Sequence, residues 1–259
     1  MSLVETHPTL PRHAFGPREL PRAGHVWRML QEVAIEGSTQ LGWPPARYVE
    51  AQAGFVVRTM TVRHLDPVAF GDRLHATTWV SNVRRELFTR REIRVEGPRG
   101  PAVVATQDWV HVAVPSLAPT RACKELVDAL VVMEREPPVR LPEPRAEASG
   151  PPERFDVQAW YTWMDPLAHA NHPAYVDWVD EALSRRMHAA RLDPHTLHPV
   201  AERLTFRSGV VAGDRVVVHT QLVGVDGPDA FVRARITDRD GKPHAEGTFV
   251  RRNLLPALR

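Results

Sequence analysis

The spacing of apolar and polar positions changes period several times along the 259-residue chain. Over residues 24–41, apolar or small side chains recur at Val26, Met29, Leu30, Val33, Gly37 and Leu41, with Gln31, Glu32, Glu36 and Gln40 between them. Steps of three and four put the first set on one face and predict a helix; Gly42 is a natural stop. The pattern then becomes short runs rich in β-branched and apolar residues, at 55–64, 73–83, 88–96 and 102–114, separated by Phe70-Gly71-Asp72 and by the Gly/Pro-rich 97–101. These read as strands divided by turns. A short amphipathic helix is predicted over 124–133, and residues 1–20, rich in proline and without period, read as an irregular lead-in.

Residues 137–152 contain six prolines and few large apolar side chains, the composition of a semi-rigid linker. After it the same order returns: a strand over 155–163, a helix from Pro173 with an apolar stripe at Tyr175, Val176, Val179, Leu183 and Met187, then strands near 203–207, 215–225, 231–237 and 244–252. The halves also share residues in the same order. A-F-G-D-R at 69–73 answers V-A-G-D-R at 211–215, T-V-R at 61–63 answers T-F-R at 205–207, and D-W-V at 108–110 answers T-F-V at 248–250. An internal repeat follows, with a first unit over 1–136, the linker over 137–152 and a second unit over 153–259. One helix and four antiparallel strands per half give an α+β class, each sheet wrapped around a central helix.

Composition narrows the classes of function. A 43% apolar content is that of an ordinary globular protein. The single cysteine, Cys123, excludes an intrachain disulfide framework and any Cys-x-x-Cys metal site, and fits a reducing, cytoplasmic setting. No secretion-type apolar core opens the chain and no run of about 18 apolar residues occurs, so no membrane span is expected. A formal charge of +2, with the arginine pairs scattered among carboxylates, gives no basic block for nucleic acid. Gly-x-Ser-x-Gly, Gly-x-Gly-x-x-Gly and Walker signatures are absent, and the His-x-x-His pairs 169/172 and 195/198 lack a convergent third ligand. Neither a metal nor a cofactor is expected.

The chemistry gathers in one stretch, W-M-D-P-L-A-H-A-N-H-P-A-Y-V-D-W at 163–178. Asp165, His169, Asn171 and His172 form a polar cluster directly before a helix. Proline suits the first helical position, which places His172 at the N-cap and turns the free first-turn N–H groups toward the cluster. A carboxylate beside such a terminus suits attack on a carbonyl that becomes an oxyanion. Each residue alone also has a plain structural use: Asp165 before a proline is a turn residue, Asn171 can close an Asx-turn and His172 can simply cap.

This motif resembles that of the hotdog-fold thioesterases, most closely the 4-hydroxybenzoyl-CoA thioesterase type and its acyl-ACP thioesterase relatives. The family pattern D-x-x-G-H/I-V-x-x-x-x-Y is met by D-P-L-A-H-A-N-H-P-A-Y at 165–175, with Trp178 and Asp180 at the family's helix positions. The resemblance implies a double hotdog that hydrolyses acyl-CoA or acyl-carrier-protein thioesters, as a monomeric double unit or a homodimer of it. It makes Asp165 the catalytic carboxylate, as nucleophile or as base for a water. The backbone N–H of His172 becomes the oxyanion donor, aided by that of Ala174, while His169 and Asn171 orient the reacting groups. Ala168 replaces the family glycine, and Leu167 and Thr205 stand where plant acyl-ACP thioesterases have asparagine and glutamate. In the first half A-G-H-V-W at 23–27 echoes the motif, but Pro21 takes the place of the aspartate. Other hotdog thioesterases carry the carboxylate inside the helix after an H-G-G start, and that register falls on Glu32. Alternatives are a hotdog hydratase or dehydratase, and a non-catalytic acyl-binding module.

Overall fold

The computed structural model describes residues 3–258, which form two compact units. One holds the chain up to Pro11 with Val26–Arg140; the other holds Arg12–His25 with the chain from Leu141 onward. The elements in chain order are β1 (Val4–Thr6), α1 (Ala23–Gln40), α2 (Pro45–Glu50), β2 (Ala53–His64), β3 (His75–Arg84), β4 (Phe88–Gly97), β5 (Gly100–Ala113), α3 (Lys124–Ala129), β6 (Ala146–Glu147), β7 (Glu153–Gln158), α4 (His172–Ala189), β8 (His198–Phe206), β9 (Arg215–Asp226), β10 (Asp229–Thr237), β11 (Pro243–Arg252) and α5 (Leu255–Leu258).

In the first unit the antiparallel sheet runs β1-β3-β4-β5-β2. In the second it runs β8-β11-β10-β9, and both β6 and β7 pair with β9. The long helices of the two units have 18 residues each. Val26, Met29, Leu30 and Val33 of α1 and Tyr175, Val176, Val179, Leu183 and Met187 of α4 are all buried, so the predicted stripes are the faces that pack. Full burial of such side chains contributes about 2 kcal/mol each.

The repeat extends to turn geometry. The amide of Ala69 donates to the Asp72 carboxylate (2.8 Å) and that of Val211 to the Asp214 carboxylate (2.9 Å). Gly71 and Gly213 both take φ +88°, the left-handed conformation that glycine adopts without a steric penalty. Each turn leads into the second strand after the long helix of its repeat, β3 or β9.

Several expectations are revised. The lead-in contains β1, whose register sets Val4 opposite Thr78. Residues 12–25 belong to the second unit, where Arg18 pairs with Asp193 at 2.7 Å. The predicted helix over 124–133 stops at Ala129, because Leu130 leaves helical geometry (ψ 60°) and the Met133 amide turns to the carbonyl of Val80. The predicted strand over 155–163 ends at Gln158; Ala159 then bonds to the Asp214 turn, and Tyr161–Trp163 form a 3-10 turn. The proline-rich stretch is not a bare spacer either. Between its prolines, the Arg145 and Ala148 amides donate to Val225 and Val223 of β9.

Candidate active site

The cluster is built by a tight loop between the 3-10 turn and α4. The Asp165 amide donates to the carbonyl of His169 (2.8 Å), the Ala168 amide returns to the carbonyl of Asp165 (2.9 Å), and the Asn171 amide donates to the carbonyl of Trp163 (2.9 Å). Ala168 takes φ +59°, a left-handed position that disfavours a β-carbon. This is the place of the family glycine, so the loop keeps the glycine conformation with an alanine in it.

Asp165 is half-buried at this loop. Its Oδ1 accepts from the Leu167 amide (2.8 Å) and weakly from the His169 amide (3.4 Å), an Asx-turn that fixes the carboxyl group. Burial raises its pKa above the ordinary aspartate value, and the Leu167 and His169 amides and the His169 ring oppose the rise without cancelling it. The His169 Nδ1 lies 2.8 Å from the carbonyl of Leu167. A ring nitrogen facing a carbonyl carries the proton, which leaves Nε2 as the acceptor of the neutral ring.

Asn171, rather than His172, is the N-cap. Its backbone is extended (φ −56°, ψ 135°) and its carbonyl accepts from the Ala174 amide at 2.8 Å. The Ala174 donor is therefore engaged within the first turn, and the His172 amide sits at the first helical position. The Asn171 side chain makes no capping bond, and its oxygen is buried without a hydrogen-bond partner. Buried acceptors in this condition are uncommon and call for a donor. Glu32 lies exposed on α1 in the first unit, an ordinary place for a glutamate on an amphipathic helix.

Two contributors escape the motif. Gly209 packs on His169, and the Tyr175 hydroxyl, deep in the core, accepts from the Val210 amide at 3.1 Å. The Ala170 amide donates to the carbonyl of Val210 (2.8 Å), so residues 208–214 brace the loop from behind. The sequence signal is the Gly-Asp pair at 213–214, which the repeat marks but which does not by itself point to the site. Aromatic rings continue the support outward: Tyr175 meets Trp178 (4.7 Å between centroids), Trp178 meets Trp163 (5.5 Å), and Trp163 stacks on the exposed Trp160 (4.8 Å). Among the described residues no group of three or more His, Cys, Asp or Glu is arranged to hold a metal ion, and no helix is long and apolar enough to cross a membrane.

Residues 159–253, which include the whole cluster, match the family model described as the thioesterase-like superfamily, and residues 24–99 match that of the thioesterase superfamily. No curated protein sequence matches the chain. Among solved structures, a Lactobacillus plantarum protein assigned as an oleoyl thioesterase is similar over 97% of this chain and 95% of its own (TM-score 0.77, 17% identity). An acyl-ACP thioesterase from Bacteroides thetaiotaomicron covers 96% and 97% (TM-score 0.74, 15% identity), and the 12:0-ACP thioesterase from Umbellularia californica covers the same shares (TM-score 0.72, 14% identity). At such identities the structures speak for the fold, and the sequence matches on both repeats speak for the lineage: this chain belongs to the thioesterase superfamily, with two hotdog repeats in one polypeptide.

Proposed function

We propose that the protein hydrolyses acyl thioesters of CoA or of acyl carrier protein, with Asp165 as the catalytic carboxylate. The observation that carries this reading is the Asp165 carboxyl group itself, half-buried, fixed by the Leu167 amide and set just before the N-terminus of α4. A carboxylate made more basic by burial is better suited to take a proton from water near neutral pH. As general base it removes that proton while the hydroxide attacks the thioester carbon. As nucleophile it adds to that carbon directly and water cleaves the resulting anhydride. In either course the carbonyl becomes an oxyanion, the carbon–sulfur bond breaks, and the thiolate leaves to be protonated as a free thiol.

The His172 amide, first in α4, is the donor for the oxyanion, a kind of contact typically worth roughly 3 kcal/mol in the transition state. His169 and Asn171 are positioning residues. The His169 ring presents Nε2 toward acceptor roles, and the buried Asn171 oxygen supplies an acceptor for a donor such as the attacking water. The carrier-protein form of the substrate draws support from the two acyl-ACP thioesterases whose fold is similar over nearly the whole chain.

The test is thiol release from short, medium and long acyl-CoA, benzoyl-type CoA and acyl carrier protein thioesters, in wild type and Asp165→Asn. A drop of about a hundredfold or more in the variant supports the carboxylate role. A folded wild type that releases thiol from none of them refutes it.

A further inference from the structure

Two arginines are buried among the described residues, Arg91 of β4 (4% exposed) and Arg251 of β11 (0%), and their surroundings differ in kind. Arg251 meets two carboxylates, Asp180 at 2.8 Å and Glu202 at 2.5 Å. Arg91 meets none. Its Nη1 donates to the Thr78 hydroxyl (3.2 Å) and its Nη2 to the Ser38 hydroxyl (3.4 Å), both neutral, and Thr78 is itself committed to the carbonyl of Glu92 (2.9 Å). The other group acting on it is Tyr48, which also interacts with the Ser38 hydroxyl. Burial lowers the Arg91 pKa to about 10, so the side chain still carries its charge at neutral pH.

A buried charge held only by long bonds to neutral oxygens is costly, and proteins normally pair it. Nor does the repeat demand it here. Thr89, Arg91, Ile93 and Val95 alternate along one face of β4, and the matching buried row of β10 is Ala230, Val232, Ala234 and Ile236. Where the first unit has Arg91, the second has valine.

The surroundings also limit what could pair with the charge. At Gly37 of α1 a β-carbon would lie 2.5 Å from Nη1 of Arg91 and 2.9 Å from Cγ2 of Thr78, so the helix backbone closes that side. A planar carboxylate matches the guanidinium fork through two parallel hydrogen bonds and is the smaller of the common oxyanions that do so. Val80, directly opposite Arg91 in the sheet, belongs to an apolar cluster with Trp43, Leu126 and Leu130, and Tyr48 packs on the same cluster. Tyr48 rides on α2, a six-residue helix with no buried residue, which makes it the covering element with the least packing to lose on opening.

We propose that Arg91 anchors a second ligand site inside the first unit, which takes the carboxylate of an apolar carboxylic acid, with Ser38, Tyr48 and Thr78 as its polar rim. The site is independent of Asp165 and of the thioesterase reading.

The probe is octanoate, with octanol as its uncharged counterpart, titrated calorimetrically into the full chain as wild type, Arg91→Met and Asp165→Asn. Octanoate is expected to bind wild type and Asp165→Asn with the same Kd, at least tenfold more tightly than it binds Arg91→Met, and octanol is expected not to bind. Equal binding by Arg91→Met, no binding by wild type, or octanol binding as well as octanoate would each overturn the site. Loss of octanoate binding in Asp165→Asn would also overturn it, since the carboxylate would then sit at Asp165. Should Arg91→Met not fold, Arg91→Lys replaces it: binding weakened tenfold supports the guanidinium fork, and unchanged binding overturns it. Thiol release measured on the same samples reads the thioesterase proposal separately.

Discussion

The imidazole of His169 occupies the space that a side chain at Gly209 would need. A β-carbon at Gly209 would come to 2.7 Å from Cγ and 2.8 Å from Nε2 of the ring, well inside van der Waals contact. The ring is thus held between the Gly209 backbone and the carbonyl of Leu167. Gly209→Ala is expected to push His169 off that carbonyl and to lower kcat at least tenfold. The Gly209 backbone carries no positive φ, so alanine can adopt it and global stability should change by only about 1–2 kcal/mol. Kinetics together with a thermal melt checks this; a variant with wild-type kcat would show that the ring position does not matter.

Ala168 supplies a prediction of the opposite sign. Its φ of +59° costs a residue with a β-carbon roughly 1 kcal/mol relative to glycine. Ala168→Gly is therefore expected to stabilise the second unit by up to about that amount, less the extra entropy glycine gains in the unfolded chain. Chemical denaturation of the two proteins measures the difference, and a clear loss of stability on adding glycine would contradict the strained-loop account.

Much of this arrangement was readable from residues alone. The stripe Tyr175, Val176, Val179, Leu183, Met187 has the helix period and is the buried face of α4, and the two Gly-Asp turns at 71–72 and 213–214 mark equivalent corners of the repeats. Local signals failed where distant groups decide the outcome. Proline at 173 suggested His172 as the cap, but the Ala174 amide selects the carbonyl of Asn171 and moves the cap back by one residue. The role of Gly209 depends on a histidine 40 positions earlier, and no periodicity encodes that contact. Prolines marked 137–152 as a linker, yet the amides between them pair with β9, because prolines remove only their own donors.

The raised pKa of Asp165 fixes the sign of two pH effects. If its ionised form is the working one, kcat/KM falls as pH drops through this raised value, with a slope of one proton. For stability, a carboxyl whose folded pKa lies above the unfolded one favours folding when protonated. Its cost appears as pH rises through the window between the unfolded and folded values and is complete above the folded value. Asp165→Asn, which can still accept from the Leu167 amide, should melt higher than wild type at pH 7. That gain should vanish below the unfolded aspartate value of about 3.9. Paired melts at pH 7 and near pH 3 test it, and a variant less stable than wild type at pH 7 would refute the assignment.

Behind the site, α4 is tied to its sheet by a buried triad, and its parts should respond unequally to substitution. Arg251 donates Nε to Asp180 on α4 (2.8 Å) and Nη1 to Glu202 on β8, where both Arg251 and Glu202 are fully buried and Asp180 is partly exposed. Removing the shared cation takes a buried partner away from Glu202, and breaking a buried pair from one side typically costs about 3–5 kcal/mol. Arg251→Met alone should therefore be severely destabilising. Arg251→Met combined with Glu202→Gln removes the buried negative charge as well and should recover a large part of the loss. Asp180→Asn leaves Arg251 still paired to Glu202 and should cost the least. Because α4 carries the His172 amide at its first turn, the same order should appear in thiol release under conditions where all variants remain folded. Urea denaturation of the three variants measures the stability order. A double variant no better than Arg251→Met would mean that the loss comes from packing around the arginine rather than from its charge pairing with Glu202.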